Sequence, residues 1–532
     1  MHYPPLSPAQ EVLVSDPTNT RGTRSFWKSR VLPYWLPLLL ALAFGGAAAV
    51  LIARGLLFFL IPLAAVVPVT ILFLRYPFVA IIIWIVVFPY FVQEPAGAGR
   101  YMYWLLHRLM IPAALGIVVL SDWFRLRKVE PVRFGRAELS LTIFLLVASF
   151  GIVTLVPNPA WAFIRFYDRV FVPLSMYWLV RLLSPTERDL SRLAWAGLIT
   201  IYLQVAIGLV AWFAPGILPE QWLNREGQRT VGSFGNPAVY TSTLIFLSLL
   251  FLQQGMQGTS KRVRTLALIT LGVTYFCVFF SFSRGSWLGG VLVLVGLIFI
   301  YRKVMLRLVG VGVFVSAILS ITLLANQLGY AFERLRDEDT AQGRVLGATT
   351  ALRMIRERPL FGWGFTTYDL YDEQYKTRVG NLAIRQQQTS HNTYLLFIAE
   401  MGVINLLLYM FPAVWWLLLS WRVWRRMPQH GFKGWHLLAM LWLLLLDHFT
   451  VSNFMDMIQA NMFGTTIWWM ALGLVATLVY PHLRPADFGG PRWIHQQTES
   501  GLLPPKRLSE TSGLASLRPS KTRLLGRSRS HP

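Results

Sequence analysis

The sequence predicts an all-α polytopic membrane protein of about twelve to fourteen transmembrane helices with one long loop on the outer face. Three observations predict it. The chain of 532 residues is 55% hydrophobic and only 14% charged, with a mean hydropathy of +0.50, whereas a soluble domain carries about 25% charge. Apolar runs long enough to cross a bilayer recur from residue 36 to residue 480. Lys and Arg crowd alternate loops, as the positive-inside bias of membrane proteins requires. These features exclude a soluble multidomain enzyme, a disordered chain and a disulfide-stapled fold. The lone cysteine, Cys277, sits inside an apolar run and leaves no disulfide possible within one chain.

The runs fall at 36–53, 56–74, 77–93, 103–121, 138–156, 166–183 and 191–214, then at 237–253, 264–281, 286–301, 304–325, 392–420, 434–452 and 461–480. Arg54-Gly55 alone separates the first two, and the run at 286–301 is short. With the N-terminus inside, six short inner loops hold 19 Lys and Arg, whereas the six short outer loops hold eight. Both termini are then cytoplasmic. Much of the net charge of +24 is therefore a topology signal and a contact with anionic lipid headgroups, not a nucleic-acid footprint. No cleavable signal peptide is visible, so the first span is expected to be an uncleaved anchor. The organisation that follows is a cytoplasmic segment 1–30, a membrane domain 31–484 and a basic tail 485–532. That tail, rich in Ser, Pro, Arg and Lys, is expected to be disordered.

One segment breaks the apolar rhythm. Residues 326–390 form a loop of 65 residues, with nine Lys or Arg and eight acids, and the alternation places it outside. Loops of this length in compact proteins are usually functional. Within it, GRVLGATTALRMIRERP reads as a helix ending before Pro359, which disfavours helix at the preceding residue. Helical spacing puts Val345, Ala348, Leu352 and Ile355 on one face, flanked by Arg344 and Arg356. A helix over 341–357 is thus expected to lie near the outer membrane plane with its arginines at headgroup level. Pro359-Leu360-Phe361-Gly362-Trp363-Gly364 reads as a tight turn returning the chain to the bilayer.

The loop closes on Thr389-Ser390-His391-Asn392-Thr393-Tyr394. Ser390 or Thr389 can N-cap the apolar helix that follows, with His391 in its first turn. A helix N-terminus disfavours an imidazolium, which suits a general base beside a bound anion. An interfacial histidine satisfied by water is the other reading. Arg229, in QRTVGSFGNP, and Arg284, in the hairpin SFSRGS, share the outer face. The nearest acid to Arg229 is Glu226. Arginine grips phosphate oxygens bidentately through its planar fork; singly, each of these arginines also reads as a lipid-headgroup anchor. No Walker A loop, dinucleotide fingerprint or Cys/His metal spacing occurs, so no cofactor and no metal are expected. Asp168, Glu400 and the pair Asp447-His448 are among the few ionisable residues within or beside spans, and a helix–helix contact is the plainer reading of that pair.

Taken in order, RTVGSFGNP, FSFSRGSWLG, GRVLGATTALRMIRERPLFGWG and SHNTYLLFIAEMG resemble the O-antigen ligase and O-antigen polymerase superfamily of bacterial inner-membrane proteins. The resemblance covers about 220–410. It implies a GT-C-like fold and a metal-independent glycosyltransferase for cell-surface polysaccharide assembly. A glycan would pass from an undecaprenyl-diphosphate carrier to a sugar, lipid-linked or protein acceptor on the outer side of the inner membrane. It also implies that Arg229, Arg284 and Arg344 bind the diphosphate, with Arg284 and His391 catalytic, the histidine activating the acceptor hydroxyl. Those relatives have about twelve spans. The alternative is a transporter of a small anion such as bicarbonate, or of the lipid-linked sugar. Inverted repeats and broken helices at the midplane would mark one; no convincing repeat is present, and the polar signals collect at the outer surface.

Overall fold

The computed structural model describes residue 46 and residues 60–92, 98–124, 135–223, 229–322, 325–336, 338–376, 390–460, 462–484 and 487. The 1–30 segment, the expected first span apart from residue 46, Thr389 and nearly all of the basic tail lie outside the described residues. The chain divides into two units, Met1–Pro481 and His482–Pro532. The first is nearly all helix, with no strand among the described residues. Its helices are α1 (Leu60–Arg75), α2 (Phe78–Val87), α3 (Gly99–Trp123), α4 (Arg136–Leu155), α5 (Pro159–Phe166), α6 (Val172–Leu183) and α7 (Glu187–Phe213). They continue as α8 (Pro237–Gln257), α9 (Lys261–Phe280), α10 (Arg284–Ile300), α11 (Arg302–Thr322), α12 (Ala325–Arg336), α13 (Glu338–Glu357), α14 (Tyr368–Tyr375), α15 (Thr393–Val423), α16 (Trp435–Ser452) and α17 (Met462–Val479).

Every apolar run after the first falls on a helix. Among the described residues eight helices are individually long and apolar enough to cross a membrane. The chain is a multi-pass, all-α membrane protein. Between α1 and α2 the chain bends by 116°, a broken span or re-entrant turn rather than two plain crossings. The run at 166–183 carries Asp168, Arg169 and Arg181, and it is buried against α17 and α3 instead of lipid.

Local sequence explains the element starts. Thr186 and Asp189 form a capping box at α7, with Asp189 N donating to Thr186 Oγ1 over 3.2 Å and Thr186 N to Asp189 Oδ2 over 3.0 Å. Asn236 caps α8 ahead of Pro237 at the first helical position. Helices α8 and α17 are almost wholly enclosed, whereas Leu146, Phe150, Phe213 and Phe299 stand exposed on the outer helices. That is the inside-out pattern of a bundle whose surroundings are apolar.

Two buried ion pairs tie helices together in the bundle. Arg181 of α6 forms an ion pair with Glu138 of α4, whose Oε1 also accepts the Tyr177 hydroxyl at 2.7 Å. Toward the other end, the π-helical turns Trp104–Met110 and Tyr167–Phe171 meet. There Arg108 grips Asp168 bidentately at 2.6 and 2.5 Å. A π turn widens a helix by one residue per turn and aims such side chains inward.

Candidate functional site

Helices α7, α9 and α16 finish, and α8, α10 and α15 begin, at one end of the bundle. Trp212 meets Phe280 with ring centroids 4.9 Å apart, Thr230 N donates to Phe280 O over 3.1 Å, and Thr241 Oγ1 donates to Ser286 Oγ over 2.8 Å. All four candidate site residues stand at this end.

The loop expected over 326–390 is mostly helical where described, comprising α12, α13 and α14. Helix α13 exists as expected but buries a different face. Leu346, Ala351 and Met354 are buried, and Ala351 and Met354 pack with Tyr368, Leu396 and Ala399, while Val345 and Leu352 of the expected stripe are exposed. The helix docks on the start of α15, and that contact rotates its buried side away from the simple amphipathic stripe.

The turn Pro359–Gly364 does more than redirect the chain. Its backbone pairs with a break in α15, where Gly402 has φ 80°. Trp363 N donates to Ala399 O (3.0 Å), Gly364 N to Glu400 O (2.7 Å) and Val403 N to Pro359 O (2.9 Å). A Cβ on Gly402 would stand 2.0 Å from Leu360 O. Only glycine permits this approach and this φ. The RPLFGWG and AEMG motifs are thus two halves of one backbone clamp.

The cap of α15 differs from expectation. Asn392 is the N-cap, its Oδ1 accepting from Tyr394 N and Leu395 N at 3.0 Å each. Ser390 spends its hydroxyl on Asn392 O at 3.0 Å. His391 therefore precedes the helix instead of lying in its first turn, and it holds a left-handed φ of 48°. A non-glycine residue in that conformation is kept there by its surroundings. Here they are the turn 453–457 after α16: Asn392 Nδ2 donates to Asn453 Oδ1 over 3.3 Å, Thr393 Oγ1 to Met455 O over 2.8 Å, and Met457 N to Thr393 Oγ1 over 2.8 Å.

The same turn gathers the other candidates. The Arg344 guanidinium lies 5.6 Å from the centre of the Phe454 ring, and Gly285, next to Arg284, lies against that residue so closely that a Cβ would stand 2.9 Å from Phe454 Cβ. Arg284 is the first residue of α10. Arg344 is near enough to act on His391. Burial first, and the positive charge of Arg344 second, hold the imidazole below its ordinary pKa of 6.5. Arg284, Arg344 and His391 are thereby collected around one turn. Arg229 stands on the neighbouring connection: Thr230 is fastened to Phe280 O, and Ser233 donates to Pro89 O over 2.7 Å while Gln204 Nε2 donates to Ser233 Oγ over 2.8 Å.

Sequence reading missed two members of this end, Arg169 and Asp456. Arg169, in the Tyr167–Phe171 turn, is within electrostatic reach of Asp456 and Glu400, and Asp369 of α14 feels its charge. Asp456 closes the turn that carries Phe454, and Glu400 Oε1 accepts Tyr368 N at 3.1 Å. An Asp-Arg pair inside an apolar run was the available signal, since intramembrane charges are rarely idle. At the other candidate pair, Asp447 sits at a notch of α10, where a Cβ on Gly289 would stand 2.3 Å from its Oδ1. That is a close helix–helix contact.

Residues 265–410 match the protein family described as O-antigen ligase. That stretch is about a quarter of the chain. It takes in Arg284, Arg344 and His391; Arg229 and the RTVGSFGNP motif precede it. No curated protein matches the chain.

Proposed function

We propose that the protein transfers a glycan from an undecaprenyl-diphosphate carrier to a sugar hydroxyl on the outer side of the bacterial inner membrane, as an O-antigen ligase or polymerase, without a metal ion. The observation that carries this reading is Arg344 beside His391 at the turn that also receives Arg284, within the stretch that matches the O-antigen ligase family. His391, kept neutral, takes the proton of the acceptor hydroxyl. The acceptor oxygen then bonds to the anomeric carbon as the bond from that carbon to the diphosphate oxygen breaks. The electron pair leaves with the diphosphate, whose growing charge Arg229, Arg284 and Arg344 stabilise. Catalysis needs fixed cations where charge develops and a base where a proton leaves, and these side chains supply both. In this reading both termini are cytoplasmic, and the membrane domain spans 31–484 between the 1–30 segment and the 485–532 tail.

The test is product formation and donor retention by the full chain in proteoliposomes with a defined undecaprenyl-diphosphate glycan. His391→Ala lowers turnover ~10²–10⁴-fold while donor retention stays near wild type. Arg284→Ala loses donor retention as well, because a charge-assisted phosphate contact already exists in the ground state. Arg284→Lys recovers part of it, since an ammonium cannot reproduce the bidentate fork. Normal turnover by His391→Ala removes the histidine from the mechanism.

A further inference from the structure

The end of the bundle opposite His391 carries a second built feature. There α7 begins, α8 ends, and the 427–434 turn leads into α16. Gln253 Nε2 donates to Phe432 O over 2.7 Å and Gly431 N to Gln257 Oε1 over 3.2 Å, which pins that turn across the end of α8. Between these elements opens a cavity of about 480 Å³ lined by Arg188, Ser191, Arg192 and Gln254 among others. A neighbouring cavity of about 150 Å³ shares Arg192 and adds Arg75, with Tyr76, Phe78 and Ile82 as an apolar wall. Polar and cationic groups thus line one chamber, and apolar side chains continue the other.

We propose that the two chambers together hold one anionic glycerophospholipid with hydroxyls on its headgroup. Arg188 and Arg192, with Arg75 alongside, receive the phosphate, and the apolar wall from Tyr76 to Ile82 receives the glycerol backbone and the start of an acyl chain. The acids nearby are largely engaged. Glu187 also lines the larger cavity, and its Oε1 accepts Lys433 N at 3.5 Å. Asp189 accepts from Thr186 and stands 3.9 Å from Arg192. Three arginines against two acids leave the site positive. The hydroxyl requirement comes from Gln254: its Oε1 is buried and accepts no hydrogen bond within the protein. A buried acceptor of this kind needs a donor, and a headgroup hydroxyl supplies one where a fully deprotonated phosphate monoester or a choline does not. A basic pocket between helix ends is a recognised way of selecting lipid headgroups. The inference does not depend on the transferase reading.

The experiment is native mass spectrometry of the full chain released from vesicles of phosphatidylcholine mixed equally with phosphatidylglycerol or with phosphatidic acid. Wild type retains phosphatidylglycerol over phosphatidylcholine and over phosphatidic acid. Arg188→Gln/Arg192→Gln loses the preference over phosphatidylcholine roughly tenfold, as expected when charge-assisted contacts of this strength are removed, with circular dichroism and gel filtration unchanged. Gln254→Leu keeps the preference for anionic lipid and loses that for phosphatidylglycerol over phosphatidic acid. Equal retention of phosphatidylglycerol and phosphatidylcholine by wild type overturns the site, as does full retention by the folded double variant. Displacement of the lipid by excess glycerol phosphate overturns the lipid assignment in favour of a small soluble phosphate.

Discussion

His391 combines a left-handed backbone, partial burial and a cationic neighbour, and the last two both favour the neutral ring. The sign of the consequence follows. A base whose pKa lies below 6.5 stays deprotonated through neutral pH, so the acid limb of turnover falls below 6.5. Replacing Arg344 by Gln removes the electrostatic part and leaves burial, the larger cause, in place. The acid limb of the Arg344→Gln variant, normalised to its own maximum, therefore moves to higher pH yet stays below an ordinary imidazole. A pH profile of transfer in proteoliposomes reads this directly; an unmoved limb means that Arg344 does not tune the histidine. The candidates themselves were legible in the sequence because arginines on an outer face and a histidine before a long apolar helix violate the background. Their supports were not. Asn392 takes the cap that Ser390 could have taken because the turn 453–457 holds Asn392 by its side-chain amide, a contact with residues 61 positions away.

At the scale of elements, hydropathy located the helices well and their faces poorly. Apolar content decides whether a helix forms in a membrane protein, whereas its neighbours decide which side is covered. Helix α13 buries Ala351 and Met354 because α14 and α15 cover them. The clamp between Pro359–Gly364 and α15 was likewise invisible, since neither glycine motif names its partner. It makes a sharp prediction. Gly402→Ala forces a Cβ into a backbone at 2.0 Å and an L-residue into φ 80°, ψ 168°; the backbone part alone costs about 1–3 kcal/mol. The purified full chain in detergent then unfolds at a lower temperature than wild type, and transfer falls with it because the clamp fixes α13 relative to His391. Gly151→Ala on α4, where nothing lies within 4 Å of the added methyl, serves as the control and leaves the melting temperature unchanged or slightly raised. An undiminished melting temperature for Gly402→Ala removes the clamp from the account of stability.

For the whole molecule the two ends of the bundle differ in kind. One end gathers His391, Arg284, Arg344 and the helices of the long loop; the other carries the Arg188–Arg192 cavity and short connections richer in Lys and Arg than the short connections at the His391 end. Positive charge resists translocation, so the basic end is expected inside and the His391 end outside, where a lipid-linked glycan would be used. The lone cysteine makes this testable with little background, since Cys277 is buried. Leu352, exposed on α13, and His430, exposed in the turn before α16, report the two ends. In a Cys277→Ser background, a membrane-impermeant maleimide labels Leu352→Cys in spheroplasts and labels His430→Cys only after permeabilisation. The opposite pattern inverts the bundle and places Arg284, Arg344 and His391 in the cytoplasm, where the proposed carrier would have to present its glycan before crossing. Because both positions belong to the same unit of the chain, their labelling must be mutually exclusive in sealed membranes, and reaction of both from one side defeats the spanning arrangement itself.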